Sequence, residues 1–227
     1  MSVPDLLILV IVGALLGLDT VSFPQAMFAR PLVAATIGGA LLGEPERGLI
    51  VGAALELVAL ETLPVGASRY PEWGSASLIG GALFGRLDAF GAGALPMAVL
   101  CALATAWIGG WTMVSLRRVN GAIARRARPS LEQGSRRAVS LVQLSGITLD
   151  FLRGGSLTLI ALLALNPVVQ ASVALWSADV RISRAVVVTL TAAVAVAAVW
   201  KLFHGTPHAR LLFLGGLVGG LSLLALR

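Results

Sequence analysis

Hydrophobic residues fall along this chain in long blocks separated by short polar breaks, the pattern of helices that meet lipid rather than water. The first block covers residues 6–18 and closes on Asp19 and Thr20, followed by the polar link Ser22-Phe23-Pro24-Gln25. Ala29-Arg30-Pro31 opens a second block, 31–43; a proline there fits the first turn of a helix, where its missing N–H costs nothing. Glu44-Pro45-Glu46-Arg47 is a polar turn, and a third block covers 48–63. Pro64-Val65-Gly66-Ala67-Ser68 breaks the pattern. Beyond it lie a small-residue run (75–84), a spanning stretch (89–113) and a mixed segment (139–151). Segments 155–175 and 185–202 span again, and 211–226 is a last glycine-rich run.

The blocks 31–43 and 48–63 are each too short to cross a hydrocarbon core of about 30 Å, which takes roughly 20 helical residues. Two readings stay open. One is a re-entrant hairpin of short helices, which survives at membrane depth only when packed in protein or lining a wet cavity. The other is a pair of tilted spans extended by their polar ends. The third block carries Glu56 and Glu61 inside its apolar run. A central acid costs about 2.5 to 3.5 kcal/mol on insertion scales, and such acids turn toward a partner, a cavity or a substrate. Segment 48–72 is therefore the expected substrate site, an acid on a broken helix of the kind transporters use.

Composition fixes the class. Of 227 residues, 57% are hydrophobic and 12% charged, with a mean hydropathy of +0.91, whereas soluble domains carry about 25% charged residues. The expected fold is an all-α polytopic membrane protein with spanning helices plus short re-entrant or broken ones. It forms one transmembrane domain, 1–227, divided into an N-terminal half (1–114), a basic loop (115–138) and a C-terminal half (139–227). The N-terminus lacks the basic region and cleavage site of a signal peptide, so the first block is expected to stay in the mature protein. Seven arginines between 117 and 137 are balanced by Glu132 alone, and the positive-inside rule makes that loop cytoplasmic. A nucleic-acid or acidic-lipid patch is the other reading of this charge; interleaved aromatics, which nucleic acid would require, are missing. Cys101 is the only cysteine, which excludes an intrachain disulfide and a cysteine metal cluster.

Glu56 either accepts hydrogen bonds from a polar solute, couples transport to a proton, or is a buried acid satisfied by backbone or by Arg30 or Arg69. Glu61 lies five residues on, about 140° round a regular helix, so the two acids do not share a face. That argues against the paired carboxylates of a hydrolytic site. If the break at Pro64 unwinds a helix, Gly66, Ala67 and Ser68 offer backbone groups to a ligand. The alternative is a plain loop, with Arg69, Tyr70, Glu72 and Trp73 as interfacial anchors. Gln25 and Glu72 complete the substrate candidates, while Arg30, Pro31, Pro64 and Arg153 carry structural or topological roles. His204 and His208 have the spacing of a helical metal pair, but Gly205 and Pro207 lie between them. A zinc site needs at least three protein ligands, and no third is evident. A faint echo links 23–30 with 203–210, which share F-x6-R with an alanine before the arginine; paired segments of this sort suit an inverted repeat.

Arg30-Pro31-Leu32, Leu42-Gly43, Gly48-Leu49-Ile50, Leu55-Glu56-Leu57-Val58-Ala59-Leu60, Val65-Gly66-Ala67, Pro71-Glu72 and Ala76-Ser77-Leu78-Ile79 form a recognisable series. It resembles the IIC component of the mannose/fructose/sorbose family of sugar phosphotransferase permeases. Leu149-Asp150-Phe151-Leu152-Arg153 is more loosely similar to an arginine-bearing segment of that family's second half. The resemblance implies a IIC–IID pair in the bacterial cytoplasmic membrane that carries a hexose by an elevator-like movement. It also implies phosphorylation on a separate cytosolic IIB component, fed by IIA, so that this chain is a transport subunit and not itself an enzyme. A homo-oligomer of the pair, no cofactor and no nucleic acid follow from the same likeness. Glu56 matches the family's sugar-site glutamate. The chain departs from the pattern at Met27 and Ala29, where relatives commonly have Gln and His, at Pro64 in place of an asparagine, at Glu72 in place of Asp, and at Glu61. Those departures motivate a second reading, a structural or regulatory membrane subunit that keeps the fold without transport.

Overall fold

A computed structural model of the chain describes residues 1–62, 69–87, 91–203, 205 and 207–226. Among these residues there are eight α-helices and no strand. Helix α1 (Val3–Asp19) begins with Ser2 and Asp5 capping each other: Ser2 N donates to Asp5 Oδ2 at 3.0 Å and Asp5 N to Ser2 Oγ at 3.3 Å. That reciprocal arrangement satisfies two backbone donors that a helix start otherwise leaves unpaired.

Helices α2 (Pro31–Ala40) and α3 (Pro45–Ala59) both start on a proline and form a hairpin turned at Gly43, whose φ is +82°. Their 10 and 15 residues give about 15 and 22 Å of helix. Neither reaches across a bilayer core of about 30 Å, so the two short helices expected from the sequence are present.

Helix α4 (Trp73–Arg86) is the centre of the molecule. It touches α1, α2, α3, α5 and α6, and nearly all of its residues are buried. Its glycines make this possible. A Cβ on Gly81 of α4 would lie 2.0 Å from the Ala35 carbonyl oxygen of α2, and one on Gly48 of α3 would lie 2.3 Å from the same oxygen. Two helices thus close on one peptide group of a third. Between helices in lipid no hydrophobic force drives association, and small residues that admit close backbone approach take its place. Leu9, Leu55, Leu78, Ile79 and Leu162 fill the space around this contact.

Helices α5 (Ala94–Glu132) and α6 (Arg136–Ala174) have 39 residues each. The interval read as a basic loop, 115–138, is helical except for a turn at Gln133, Gly134 and Ser135. Arginine and alanine are good helix formers, and this stretch is rich in both. The last buried residue of α5 is Met113 and the first of α6 is Asp150. Beyond Arg117, which still touches the body at Tyr70, the rest of α5 and the start of α6 form an arm that projects about 22 Å. The mixed segment 139–151 and the span 155–175 are likewise one helix. Gly154 and Gly155 do not interrupt it, because α1 packs on them at Ala14.

Helix α7 (Val180–Phe203) returns along α3 and α5. Helix α8 (Ala209–Ala225) is largely exposed apart from buried Ala209 and half-buried Phe213, whose ring meets Trp200 of α7 edge-on at 5.6 Å, and a Cβ on Gly215, Gly216, Gly219 or Gly220 would meet open space. By length and composition α5, α6 and α7 are apolar enough to cross a membrane.

Candidate functional site

The ends of four helices meet around a cavity of about 480 Å³ whose mainly apolar lining carries a few polar groups. Its organiser is Asp19, the last residue of α1, which is 3% exposed. Asp19 Oδ1 accepts from Ala26 N at 2.7 Å and Oδ2 from Ala29 N at 2.8 Å. Both carboxylate oxygens thus gather the link between α1 and α2 into a compact loop. The loop needs two left-handed residues to turn, Gln25 (φ 59°) and Met27 (φ 64°). Gln25 lines the cavity and its side-chain amide donates to Val21 O at 2.9 Å.

The opposite wall comes from the end of α3 and the start of α4. Trp73 Nε1 donates to Thr62 Oγ1 at 3.1 Å, and both residues line the cavity together with Tyr70. Thr20, on the link side, presents a buried hydroxyl that makes no hydrogen bond among the described residues. A concave site of several hundred Å³ with a few converging polar groups and aromatic walls is the usual form of a small-molecule pocket.

Glu56 reaches the cavity through Arg30, which lines it. Arg30 Nη2 donates to Glu56 Oε1, and Leu32 N in the first turn of α2 donates to Glu56 Oε2 at 3.1 Å. The positive end of α2 favours a carboxylate at this place. Glu56 is therefore satisfied by an arginine and by backbone, the third of the readings left open above. A carboxylate has about four acceptor positions, so these two contacts leave room for others.

Glu61 lies beyond the end of α3 and pairs with Lys201 of α7 at 2.8 Å. The two acids of the third block thus take different partners. Glu72 is 1% exposed and caps α4, its Oε1 accepting from Ser75 N at 3.1 Å while Oε2 makes no hydrogen bond among the described residues. It is buried behind the cavity and is not among the residues that line it. Pro31 is buried at the first position of α2, and Arg153 is buried in an ion pair with Asp150. Pro64, Gly66, Ala67, Ser68 and His204 lie outside the described residues. Among the described residues no group of His, Cys, Asp or Glu is arranged to hold a metal ion.

The segment after the break is fastened to α5. Glu72 N donates to Ala106 O at 2.9 Å, and the Arg69 guanidinium lies 4.5 Å from the Trp107 ring centroid and 4.2 Å from that of Trp111. Arg117 Nη2 donates to Tyr70 OH at 2.8 Å. Gly110 lets this strap lie flat, because a Cβ there would stand 2.6 Å from Tyr70 O. Of Arg69, Tyr70, Glu72 and Trp73, which the alternative reading made interfacial anchors, Arg69 holds the strap to α5, Tyr70 and Trp73 line the cavity and Glu72 is buried.

Sequence reasoning overlooked Asp19, Thr20 and Thr62. Asp19 had a signal: an acid closing an apolar run before a polar link is a residue that bonds backbone amides ahead of it.

Helices fit to span a membrane, set beside shorter ones whose ends enclose a cavity, define a polytopic helical membrane protein. A family model described as the sorbose-specific IIC component of the phosphotransferase system matches residues 4–221, and the chain belongs to that family. The mannose-specific EIIC component of Escherichia coli K12 is 27% identical over 150 residues, 66% of this chain and 54% of that protein. The fructose permease IIC component of Bacillus subtilis strain 168 is 31% identical over 172 residues, 75% of this chain and 62% of that protein. The chain thus spans little more than half the length of these curated relatives. Two solved structures share the fold across 100% of this chain. One, described as a membrane protein, has a TM-score of 0.73 at 20% identity over 92% of its chain. The other, the mannose transporter ManYZ in complex with microcin E492, has a TM-score of 0.64 at 21% identity over 96% of its chain.

Proposed function

We propose that this chain is the sugar-translocating IIC subunit of a mannose-type phosphotransferase system and that its cavity holds a hexose. The observation that carries the reading is the cavity itself. It lies at the acid-bearing α3 and is walled by Gln25, Thr20, Thr62, Tyr70 and Trp73. Hydroxyls and amides supply donors and acceptors for a polyol, and the aromatic faces suit the C–H surface of a pyranose. Glu56 accepts sugar hydroxyls with the positions that Arg30 and Leu32 leave free. The relatives' names, mannose, fructose and sorbose, support a hexose.

In this reading the whole chain is one transmembrane unit of the bacterial cytoplasmic membrane, with the arginine-rich arm on the cytoplasmic side. It works with a IID subunit, as an oligomer of that pair. Sugar moves by an elevator-like shift of the short-helix body, with the short helices re-entrant and related to the C-terminal half by an inverted repeat. Phosphoryl transfer takes place on IIB, supplied by IIA. The test is equilibrium binding of radiolabelled mannose, fructose and sorbose to the purified chain with its IID partner in nanodiscs. Saturable binding of at least one, weakened by Thr62→Ala, is expected. A folded complex that binds none of the three would overturn the proposal.

A further inference from the structure

We infer that Asp150 and Arg153 of α6 are positioning residues that clamp the link between α1 and α2, and with it one wall of the cavity. The inference rests on reading that cavity as the sugar site. Neither residue touches the cavity. Asp150 is fully buried and Arg153 is 8% exposed, with Arg153 Nε donating to Asp150 Oδ1 at 2.8 Å.

The remaining contacts of the pair all leave α6. Arg153 Nη2 donates to Gly17 O at 3.4 Å and Nη1 to Thr112 Oγ1 at 3.3 Å. Gly17 belongs to the last turn of α1, where carbonyls lack helical partners and a cation is favoured. Asp150 Oδ2 accepts the Ser22 hydroxyl. Ser22 stands in the middle of the link, directly after Val21 of the cavity wall. The carboxylate that neutralises the buried arginine is therefore the same group that grips the link.

The other half of the link is held by Asp19 through Ala26 and Ala29. Besides the Asp150 contact, residues 21–23 are tied to Leu18 O, which accepts from Val21, Ser22 and Phe23, and to the Gln25 side-chain amide, which donates to Val21 O. Of the wall, Thr20 and Val21 come directly before Ser22, Gln25 lies between Ser22 and Ala26, and Met27 lies between Ala26 and Ala29. A buried ion pair is by itself weak evidence for stability, since apolar residues of similar volume often serve as well. Here the spare bonds of the pair go to Gly17 O at the end of α1, to Thr112 of α5 and to Ser22 of the link, so the pair ties the link and the helix that feeds it to α5 and α6, a use that apolar residues cannot supply.

Ser22→Ala tests this with the Arg153–Asp150 contact left in place, because Ser22 is exposed and only the hydroxyl on Asp150 Oδ2 is lost. The measurements, on the purified complex, are hydrogen exchange of the 19–29 peptide, hexose affinity and melting temperature. Exchange in that peptide should rise by roughly tenfold as the link opens locally. Affinity should fall by about three- to tenfold, as for loss of one hydrogen bond. The melting temperature should fall slightly, since Asp150 Oδ2 loses its partner, and Ser22→Thr should restore all three readouts. Exchange and affinity both unchanged in Ser22→Ala would overturn the clamp. If Thr62→Ala leaves hexose affinity intact, the cavity reading fails instead, and the exchange result alone decides whether Asp150 holds the link.

Discussion

Arg30 and Glu56 meet across the α2–α3 hairpin although 26 residues separate them, and the Leu32 amide holds the second oxygen of the same carboxylate. Glu56 is thus a strut between the two short helices, and its partner Arg30 lines the cavity. Removing its charge tests the strut and the proposed sugar contact. Glu56→Gln should weaken hexose binding by roughly tenfold or more, the scale of one hydrogen bond to a charged group. Arg30→Gln should lower the melting temperature as well, because it leaves a partly buried carboxylate without its cation. Binding isotherms and thermal unfolding in one detergent would separate the two. Unaltered affinity in Glu56→Gln would remove the acid from the sugar site.

The peptide group of Ala35 makes a second prediction. Gly81→Ala places a methyl 2.0 Å from the Ala35 carbonyl oxygen, and overpacking of this kind costs about 1 to 3 kcal/mol. Gly215→Ala on α8 meets nothing within 4 Å and should not lower the melting temperature. Equal melting temperatures for the two variants would mean that α2 and α4 do not approach so closely.

Asp19 offers a graded test. Asp19→Asn keeps one acceptor for the two amides of Ala26 and Ala29, while Asp19→Ala keeps none. Each unsatisfied buried donor costs about 1 to 3 kcal/mol. Stability should therefore fall in the order wild type, Asn, Ala, and hexose affinity should follow it. An alanine variant as stable as the wild type would show that the link is held elsewhere.

Topology is open to direct chemistry. Ser130 lies exposed near the end of the arm. In a Cys101→Ala background, Ser130→Cys should react with a membrane-impermeant maleimide in inverted vesicles and stay unlabelled in right-side-out ones. The reverse pattern would put the seven arginines outside the cytoplasm and set aside the positive-inside reading.

Much of the architecture was legible because it follows from length and polarity. The two short helices were visible as blocks too brief to span, each opened by a proline. The basic interval was misread for a physical reason: positive charge marks a side of the membrane, but it does not oppose helix formation. Arginine and alanine continue α5 to Glu132. The central place of α4 was hidden for the opposite reason. Its glycines, serines and alanines look unremarkable in a sequence, yet in lipid they are the residues that let helices meet. Glu56 was found because an acid in an apolar run stands out. Asp19 and Thr20 were not, because their importance depends on amides and walls that only the folded link brings near.

Trp73 has one more consequence. Its indole N–H is bonded to Thr62 Oγ1, and both residues belong to the cavity wall. A solute that competes for that hydroxyl changes the polarity around the ring, and with it the colour of the emitted light. Trp73 is one of five tryptophans, so a change in intrinsic emission that Trp73→Phe abolishes would report a sugar in the cavity with no label attached.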